Sequence, residues 1–244
     1  MVIRAATLLS ASGPGGEYTE QVRPLGVDSP RCVIVAPGSG SDGSSYVVER
    51  APNAGHVSPG GDPALAARAA TYDGWCLTAA GFGAGEITGS YDPAAAADTL
   101  ATLATTLTDP DSPWGGCTGP VIGVGISMGF LTLTATLIRH PQLLAGVIGI
   151  VPLISATHIW TEIYSVPVPA GVVPYDPETH TAAFDGIPTT ILSMRGDVTV
   201  DDDDESHALA FCAATGATRW RIGSGTHGTW ALTGSILRAA LNTM

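Results

Sequence analysis

The sequence predicts an α/β fold built on a mostly parallel sheet of about eight strands, with helices on both faces. Two observations support this fold class. Short apolar runs alternate with helical patterns along most of the chain, and these runs are nearly continuous rather than alternating, as expected for strands covered on both sides. The chain has 244 residues, of which 45% are hydrophobic. This length suits a single domain over residues 1–244.

The elements follow in order along the chain. The first two predicted strands, 2–9 and 17–24, flank the turn-rich stretch SGPGG and are expected to form an antiparallel hairpin. Six further strands are predicted at 32–36, 75–80, 120–126, 146–151, 189–194 and 218–223. Helices are predicted at 63–72, 93–108, 128–139, 204–215 and 228–242. Asp92 and Pro93 give the second helix an N-cap and a proline at its first position.

Residues 155–186 interrupt the alternation with a stretch rich in proline and aromatic residues. A long irregular excursion in a compact domain is usually functional. We expect a small cap over the carboxyl ends of the strands, where ligands bind in open α/β sheets. The alternative is that its aromatic residues only attach the segment to the core.

Charge and hydropathy exclude several classes of protein. The formal net charge of −12 argues against a nucleic-acid partner. No stretch approaches the length of a membrane span, and the amino-terminal MVIRAATLLSASG is too short in its apolar run for a secretory signal. We therefore expect a soluble chain, cytoplasmic by default, with association with a virion as the alternative.

The four cysteines do not indicate a metal site. Cys32, Cys76, Cys117 and Cys212 show no CxxC spacing and no pairing with histidine of the kind that binds zinc. Cys32 and Cys76 open predicted strands, and we expect them to be buried thiols. A disulfide is the less favoured alternative.

The strongest functional signal is Gly-Ile-Ser-Met-Gly at 125–129. Ser127 directly follows a buried strand and directly precedes a helix, the context in which a serine is exposed on a sharp, strained turn. Gly125 and Gly129 are small enough to let the strand and the helix pass closely. The pattern predicts a nucleophilic serine.

A serine hydroxyl needs a base, and the base needs an orienting acid. His227 lies in a glycine-flanked loop after the last predicted strand, and Asp197 follows the strand before it. This gives the order serine, acid, histidine. Asp201 is the alternative acid, although the run Asp201–Asp204 is also typical of a solvated helix start.

Backbone N–H groups near Ser127 are expected to stabilise an oxyanion. The N–H of Met128 lies at the start of the helix after the serine, and the glycine-rich loop after strand 32–36 is expected to offer a second donor, the N–H of Ser39. The alternative for this loop is a flexible Gly/Ser turn.

Together these residues resemble the α/β-hydrolase superfamily over nearly the whole chain. The segments HPQLLAGVIGIVPLIS and FDGIPTTILSMRGDVTV are similar to small serine esterases of bacterial or actinophage type. The oxyanion loop departs from the family's common His-Gly start and reads Pro37-Gly38. The resemblance implies acyl transfer to Ser127 and then to water, with His227 as base and Asp197 as orienting acid, and without a metal or organic cofactor.

The expected substrate is a small-molecule or lipid-like carboxylic ester. Apolar and aromatic residues near the serine and in the predicted cap favour an apolar acyl pocket: Ile126, Phe130, Trp160 and Tyr164. A depolymerising esterase acting on polyester or cell-envelope lipids would differ only in how open the cleft is. The alternative from another class is a structural or binding component of a larger assembly, such as a phage particle, that recognises cell-envelope esters.

Overall fold

The structure is a computed structural model that describes residues 6–12, 18–24, 31–36, 38, 75–80, 91–112, 115–118, 120–197, 206–224 and 239–244. The strands are β1 (Ala6–Ser12), β2 (Tyr18–Pro24), β3 (Arg31–Ala36), β4 (Trp75–Ala80), β5 (Val121–Ile126), β6 (Leu144–Ile150), β7 (Thr189–Arg195) and β8 (Thr218–Ser224). The α-helices are α1 (Pro93–Thr108), α2 (Gly129–Arg139) and α3 (Ser206–Thr215).

The eight strands form one sheet in the order β1-β2-β4-β3-β5-β6-β7-β8. The hairpin β1–β2 is antiparallel, and β2 pairs antiparallel with β4. The strands from β3 to β8 are parallel to one another. The predicted fold class, the hairpin and the parallel sheet are confirmed. The first strand ends three residues later than predicted, the predicted residues 2–5 lie outside the described residues, and β6 begins two residues earlier than predicted.

The described helices agree closely with their predicted bounds. The Asp92 carboxylate accepts hydrogen bonds from the N–H groups of Ala94, at 2.9 Å, and Ala95, at 3.2 Å, which confirms the N-cap of α1. The predicted helix at 63–72 lies outside the described residues. Of the predicted helix at 228–242, only the last residues are described, and 239–241 are helical.

Helix α2 is covered on nearly all sides and occupies the centre of one face of the sheet. Every residue from Gly129 to Leu137 is buried. Its three buried threonines have hydrogen-bond partners: Thr134 and Thr136 donate to carbonyl oxygens one turn earlier, and Thr132 bonds to the buried hydroxyl of Tyr91. Since buried polar groups need partners, these bonds let a threonine-rich helix lie in the core.

The excursion at 155–186 contains a π-helical segment, His158–Ile163, and three 3₁₀ turns, Val173–Tyr175, Pro177–Thr179 and Thr181–Phe184. Its last turn inserts Phe184 between two helices. The ring of Phe184 stacks on Phe130 of α2 with centroids 5.6 Å apart and meets Phe211 of α3 edge-on at 4.9 Å. These contacts attach the segment to the core, and its role as a cap stays a prediction.

The expectation of a buried Cys32 thiol is wrong, because Cys32 forms a disulfide with Cys117. Both residues are buried, and their Cα atoms are 5.9 Å apart. Cys32 pairs with Val121 in the β3–β5 ladder, and Cys117 lies just before β5. Pairing of these two strands therefore brings together cysteines that are 85 residues apart in sequence. The side chain of Cys76 lies outside the described residues, and Cys212 is a free, half-buried thiol.

Among the described residues, the structure contains no helix with both the length and the apolar character needed to cross a membrane.

The disulfide should contribute substantially to stability. Replacing Cys32 and Cys117 together by alanine, or reducing the bond, is expected to lower the free energy of unfolding by about 3–5 kcal/mol, since the bridge closes a long loop in the unfolded chain. Urea denaturation followed by circular dichroism measures this change. Cys212→Ala is the matched control and should change the free energy by less than about 1 kcal/mol. Equal effects of the double variant and the control would contradict the prediction.

Candidate active site

Ser127 occupies a strained turn between β5 and α2. Its φ of 51° lies in the left-handed region, which residues other than glycine rarely adopt. The residues around it, from Val121 to Ile126 and from Met128 to Leu137, are buried, whereas Ser127 itself is partly exposed. A strained, exposed serine at the carboxyl end of a central strand is the geometry of a nucleophile elbow.

The glycine before the serine is required by the close approach of strand and helix. A Cβ atom built on Gly125 would lie 2.8 Å from Cα and 2.9 Å from the backbone nitrogen of Phe130. Real Cβ contacts are essentially never this short, and backbone atoms cannot move aside as a flexible side chain can. Gly125 therefore permits α2 to start directly over the end of β5.

The main chain of Ser127 is bonded on both sides to the segment that ends β6. Its N–H donates to the carbonyl oxygen of Ile150 at 3.0 Å, and its own carbonyl oxygen accepts from the N–H of Leu153 at 3.0 Å. The same carbonyl accepts from the N–H of Phe130 at 3.1 Å, in the first turn of α2. The serine backbone is thus held by β6 as well as by its own helix.

The predicted oxyanion donors differ in what the structure describes. Met128 is buried and is the N-cap residue of α2, at the end of the helix where the first backbone N–H groups have no partner one turn earlier. Ser39 lies outside the described residues. Ala36, the last residue of β3, pairs with Gly125 in the adjacent strand, and Gly38 is buried just beyond it. The strand before the Ser39 loop therefore ends beside the elbow.

Asp197 lies two residues past the end of β7 and is 2% exposed. A tight turn delivers it: the N–H of Asp197 donates to the carbonyl of Met194, and Gly196 between them has a φ of 80°. A carboxylate is rarely buried without a specific partner. The alternative acid, Asp201, lies outside the described residues.

His227 lies outside the described residues. The structure describes the strand before it, β8. Strand β8 is parallel to β7, and its last residue, Ser224, pairs with Arg195. His227 is three residues beyond Ser224, and Asp197 is two residues beyond Arg195. The two predicted triad members therefore follow directly paired positions at the carboxyl ends of neighbouring strands.

The residues predicted to line the acyl pocket are mostly in the core. Ile126, Phe130 and Trp160 are almost fully buried, while Tyr164 is half-buried. Phe130 lies against Phe184 and Phe211. Their part in a substrate pocket stays a prediction.

A polar cluster that the sequence analysis does not predict joins the excursion to α3. Glu178 accepts a hydrogen bond from His207 of α3 at 3.1 Å and interacts with the hydroxyl of Ser155. The ring of His158 lies 4.7 Å from that of His207, measured between centroids. Burial would raise the pKa of Glu178, but the bonds from Ser155 and His207 outweigh it and hold this pKa below its usual range.

Asp176, near Glu178 in sequence, links the later part of the excursion to its beginning. Its buried carboxyl group accepts from the N–H of Ala156 at 3.1 Å, at the start of the helical segment that precedes it by twenty residues. Burial raises the pKa of this carboxyl group. Among the described residues, no group of three or more His, Cys, Asp or Glu side chains is arranged to hold a metal ion.

Gly125→Ala should damage the elbow. The added methyl group must displace the backbone of Phe130, so we expect a loss of about 1–3 kcal/mol in the free energy of unfolding. Gly171→Ala is a matched control, because a Cβ there would meet nothing within 4 Å. It should change stability by no more than about 0.5 kcal/mol. Thermal unfolding of both variants measures the difference, and equal stability of the two would contradict the tight approach.

The Glu178 contacts predict a pH dependence with a definite sign. Since the folded-state pKa of Glu178 lies below its ordinary value near 4.5, its contribution is present above that value and is lost as the pH falls through the folded pKa. Glu178→Gln should therefore be less stable than the wild type at about pH 6, by less than about 1 kcal/mol for a partly exposed pair. The difference should shrink as the pH falls below the ordinary value and disappear once the carboxyl group is protonated in the folded state.

Urea titrations at several pH values measure this effect. Glu162→Gln, an exposed residue of the same segment, is the control. A wild-type advantage that persists unchanged at the lowest pH would show that Glu178 does not act through its charge.

No protein-family model matches this chain, and no curated protein matches its sequence. Solved structures do match its fold. The substrate-bound fluorophosphonate-binding serine hydrolase FphF of Staphylococcus aureus has a TM-score of 0.64 at 12% identity, covering 98% of this chain and 97% of that one. The alpha/beta hydrolase GrgF of Penicillium sp. sh18 has a TM-score of 0.62 at 12% identity, covering 97% and 96%.

A larger protein of Bacteroides ovatus, assigned as a dipeptidyl aminopeptidase IV, contains a similar unit. It matches 98% of this chain with a TM-score of 0.64 at 14% identity, but the match spans only 35% of its own length. The strand order, the elbow after β5 and these likenesses lead to one conclusion: the chain has the α/β-hydrolase fold.

Proposed function

We propose that this protein is a serine hydrolase that cleaves carboxylic esters through an acyl-enzyme on Ser127. The observation that carries the proposal is the left-handed backbone of a partly exposed serine at the end of a buried central strand. Such a conformation costs about 1–3 kcal/mol, persists only where the surrounding structure enforces it, and is common at active sites. The position between a buried strand and a helix, and not the positive φ alone, distinguishes Ser127 from Ser165.

Asp197 and His227 supply the remaining catalytic groups of the proposal. Burial of Asp197 at the end of β7 suits an acid that orients an imidazole rather than one that reacts with solvent. Arg195 and Ser224 are paired across β7 and β8. Two and three peptide units span at most about 7 Å and about 11 Å, so the chain allows the imidazole of His227 to reach the carboxylate of Asp197.

In the proposed reaction, the Ser127 hydroxyl oxygen attacks the ester carbonyl carbon while His227 accepts its proton. Asp197 holds the imidazole in the required tautomer and stabilises the imidazolium. The tetrahedral oxyanion receives hydrogen bonds from the N–H groups of Met128 and Ser39. His227 then protonates the departing alcohol oxygen, which leaves the acyl group on Ser127. Water activated by His227 attacks this acyl-enzyme and releases the carboxylic acid and the free serine.

A neutral or lipid-like ester is the substrate class that fits best. The stretch 163–175 of the excursion, IYSVPVPAGVVPY, contains no charged residue, and Val173 within it is 54% exposed. With a net charge of −12, the protein repels strongly anionic molecules. An uncharged substrate avoids this repulsion and can use the apolar surface.

The disulfide bears on where the enzyme acts. Disulfides persist in oxidising compartments and are rare in a reducing cytosol. The buried Cys32–Cys117 bond therefore supports action in an oxidising environment over the cytoplasmic location expected by default.

An active-site fluorophosphonate probe tests the proposal, together with hydrolysis of p-nitrophenyl esters of increasing chain length. The wild-type protein should be labelled and active, and Ser127→Ala should abolish both signals. Asp197→Asn should keep the fold but lower kcat by about 10³–10⁴-fold, because the imidazole loses its orienting partner.

Ser112→Ala, in the turn after α1, is the control and should be labelled like the wild type. Labelling that survives Ser127→Ala would sink the assignment of the nucleophile. A wild-type protein that is neither labelled nor active on any ester would overturn the hydrolase proposal.

A further inference from the structure

We propose that Val151 is a positioning residue for the nucleophile: a left-handed turn at Val151 holds the backbone of Ser127 in place. This inference rests on the proposed function, since it assigns a role in presenting the catalytic serine. Val151 is buried and would act through the main chain of Ser127.

The backbone of Val151 is strained. Besides glycines, three described residues have a positive φ, namely Ser127, Val151 and Ser165, and the φ of Val151 is 40°. For a β-branched side chain this is a genuine outlier, because the branched Cβ crowds the following carbonyl. Pro152 adds to the strain, since the residue before a proline favours extended backbone. Such strain persists only where the surroundings enforce it.

The surroundings of Val151 do enforce the turn. Its N–H donates to the carbonyl oxygen of Leu192 in β7 at 2.8 Å, and its side chain is 1% exposed. The chain then folds back on β6. A Cβ built on Gly149 would lie only 3.0 Å from the Cβ of Pro152. Gly149 thus leaves room for the returning chain.

The turn places two hydrogen-bonding groups on Ser127. The residue before Val151, Ile150, accepts from the N–H of Ser127, and Leu153, two residues after it, donates to the Ser127 carbonyl, both at 3.0 Å. If the strand continued straight, Leu153 would lie about 10 Å beyond Ile150 and could not share a residue with it. The left-handed turn allows both hydrogen bonds to form on the same residue.

These two hydrogen bonds explain how a serine, rather than a glycine, can hold a φ of 51° at position 127. One bond belongs to the strand pairing of β5 with β6, and the other to the returning chain after Val151. The two strained residues therefore support each other across neighbouring strands. A loss of the turn would leave the serine in place along the sequence but poorly oriented for attack.

Alanine and glycine variants of two valines test this inference: Val151, directly after β6, and Val147, within β6. Glycine adopts a positive φ readily and alanine does not. Val151→Gly should therefore react with a fluorophosphonate about 3-fold faster than Val151→Ala and should also be the more stable of the two. The control is Val147, which is fully buried within β6 and does not have a positive φ. There the glycine variant should be the less stable, and the two variants should label at similar rates.

A stronger variant removes the turn altogether. Val151→Pro fixes φ near −65° and deletes the N–H that bonds to Leu192. If it folds, kcat and the labelling rate should fall about 100-fold with KM little changed, as expected when a catalytic group is misplaced by about 1 Å. If it does not fold, the alanine and glycine pairs decide.

The outcomes separate this inference from the proposed function. A labelled wild type whose Val151→Gly and Val151→Ala variants match each other in both labelling rate and stability would overturn the positioning role alone. A wild type that is not labelled at Ser127 would overturn the proposed function and this inference with it.

Discussion

The arrangement of the candidate site depends on the hydrogen bonds that fix the peptide groups of Ser127. They join the end of β5 to the end of β6, so the serine is held by the neighbouring strand as well as by the first turn of its own helix. This needs the missing side chain at Gly125, the close start of α2 and the turn at Val151. The carboxyl ends of the parallel strands β3, β7 and β8 lie at the same edge of the sheet, and the other predicted groups follow these ends in sequence.

Much of this could be predicted from the sequence, because buried parallel strands are continuous apolar runs and α1 carries an evident N-cap at Asp92. The later end of the first strand is a boundary error, since small and polar residues such as Ser10 and Ser12 do not mark where pairing ends. The Cys32–Cys117 bond was missed because only the β3–β5 register brings the two residues together. The strain at Val151 was missed because Ile-Val-Pro is typical of an ordinary strand end and, unlike the glycines around Ser127, does not indicate a strained turn.

The excursion at 155–186 illustrates a second limit of sequence analysis. Its prolines and aromatic residues indicate an irregular, anchored segment, and Phe184 is such an anchor. The pairing of Glu178 with His207 depends on how this segment lies against α3, which residue types alone do not specify. Asp176 bridges the segment internally, so its parts are fixed to one another as well as to the core.

The disulfide lies at the amino end of β3, whereas Ser127 lies at the carboxyl end of the adjacent strand. A bond at that distance constrains how far the unfolded chain can expand and leaves the geometry of the elbow to local contacts. A newly synthesised chain with both thiols still reduced would thus keep the arrangement of the elbow, but would be short-lived in the presence of proteases. Oxidation after synthesis would lengthen the lifetime of the folded molecule and leave the elbow itself unchanged.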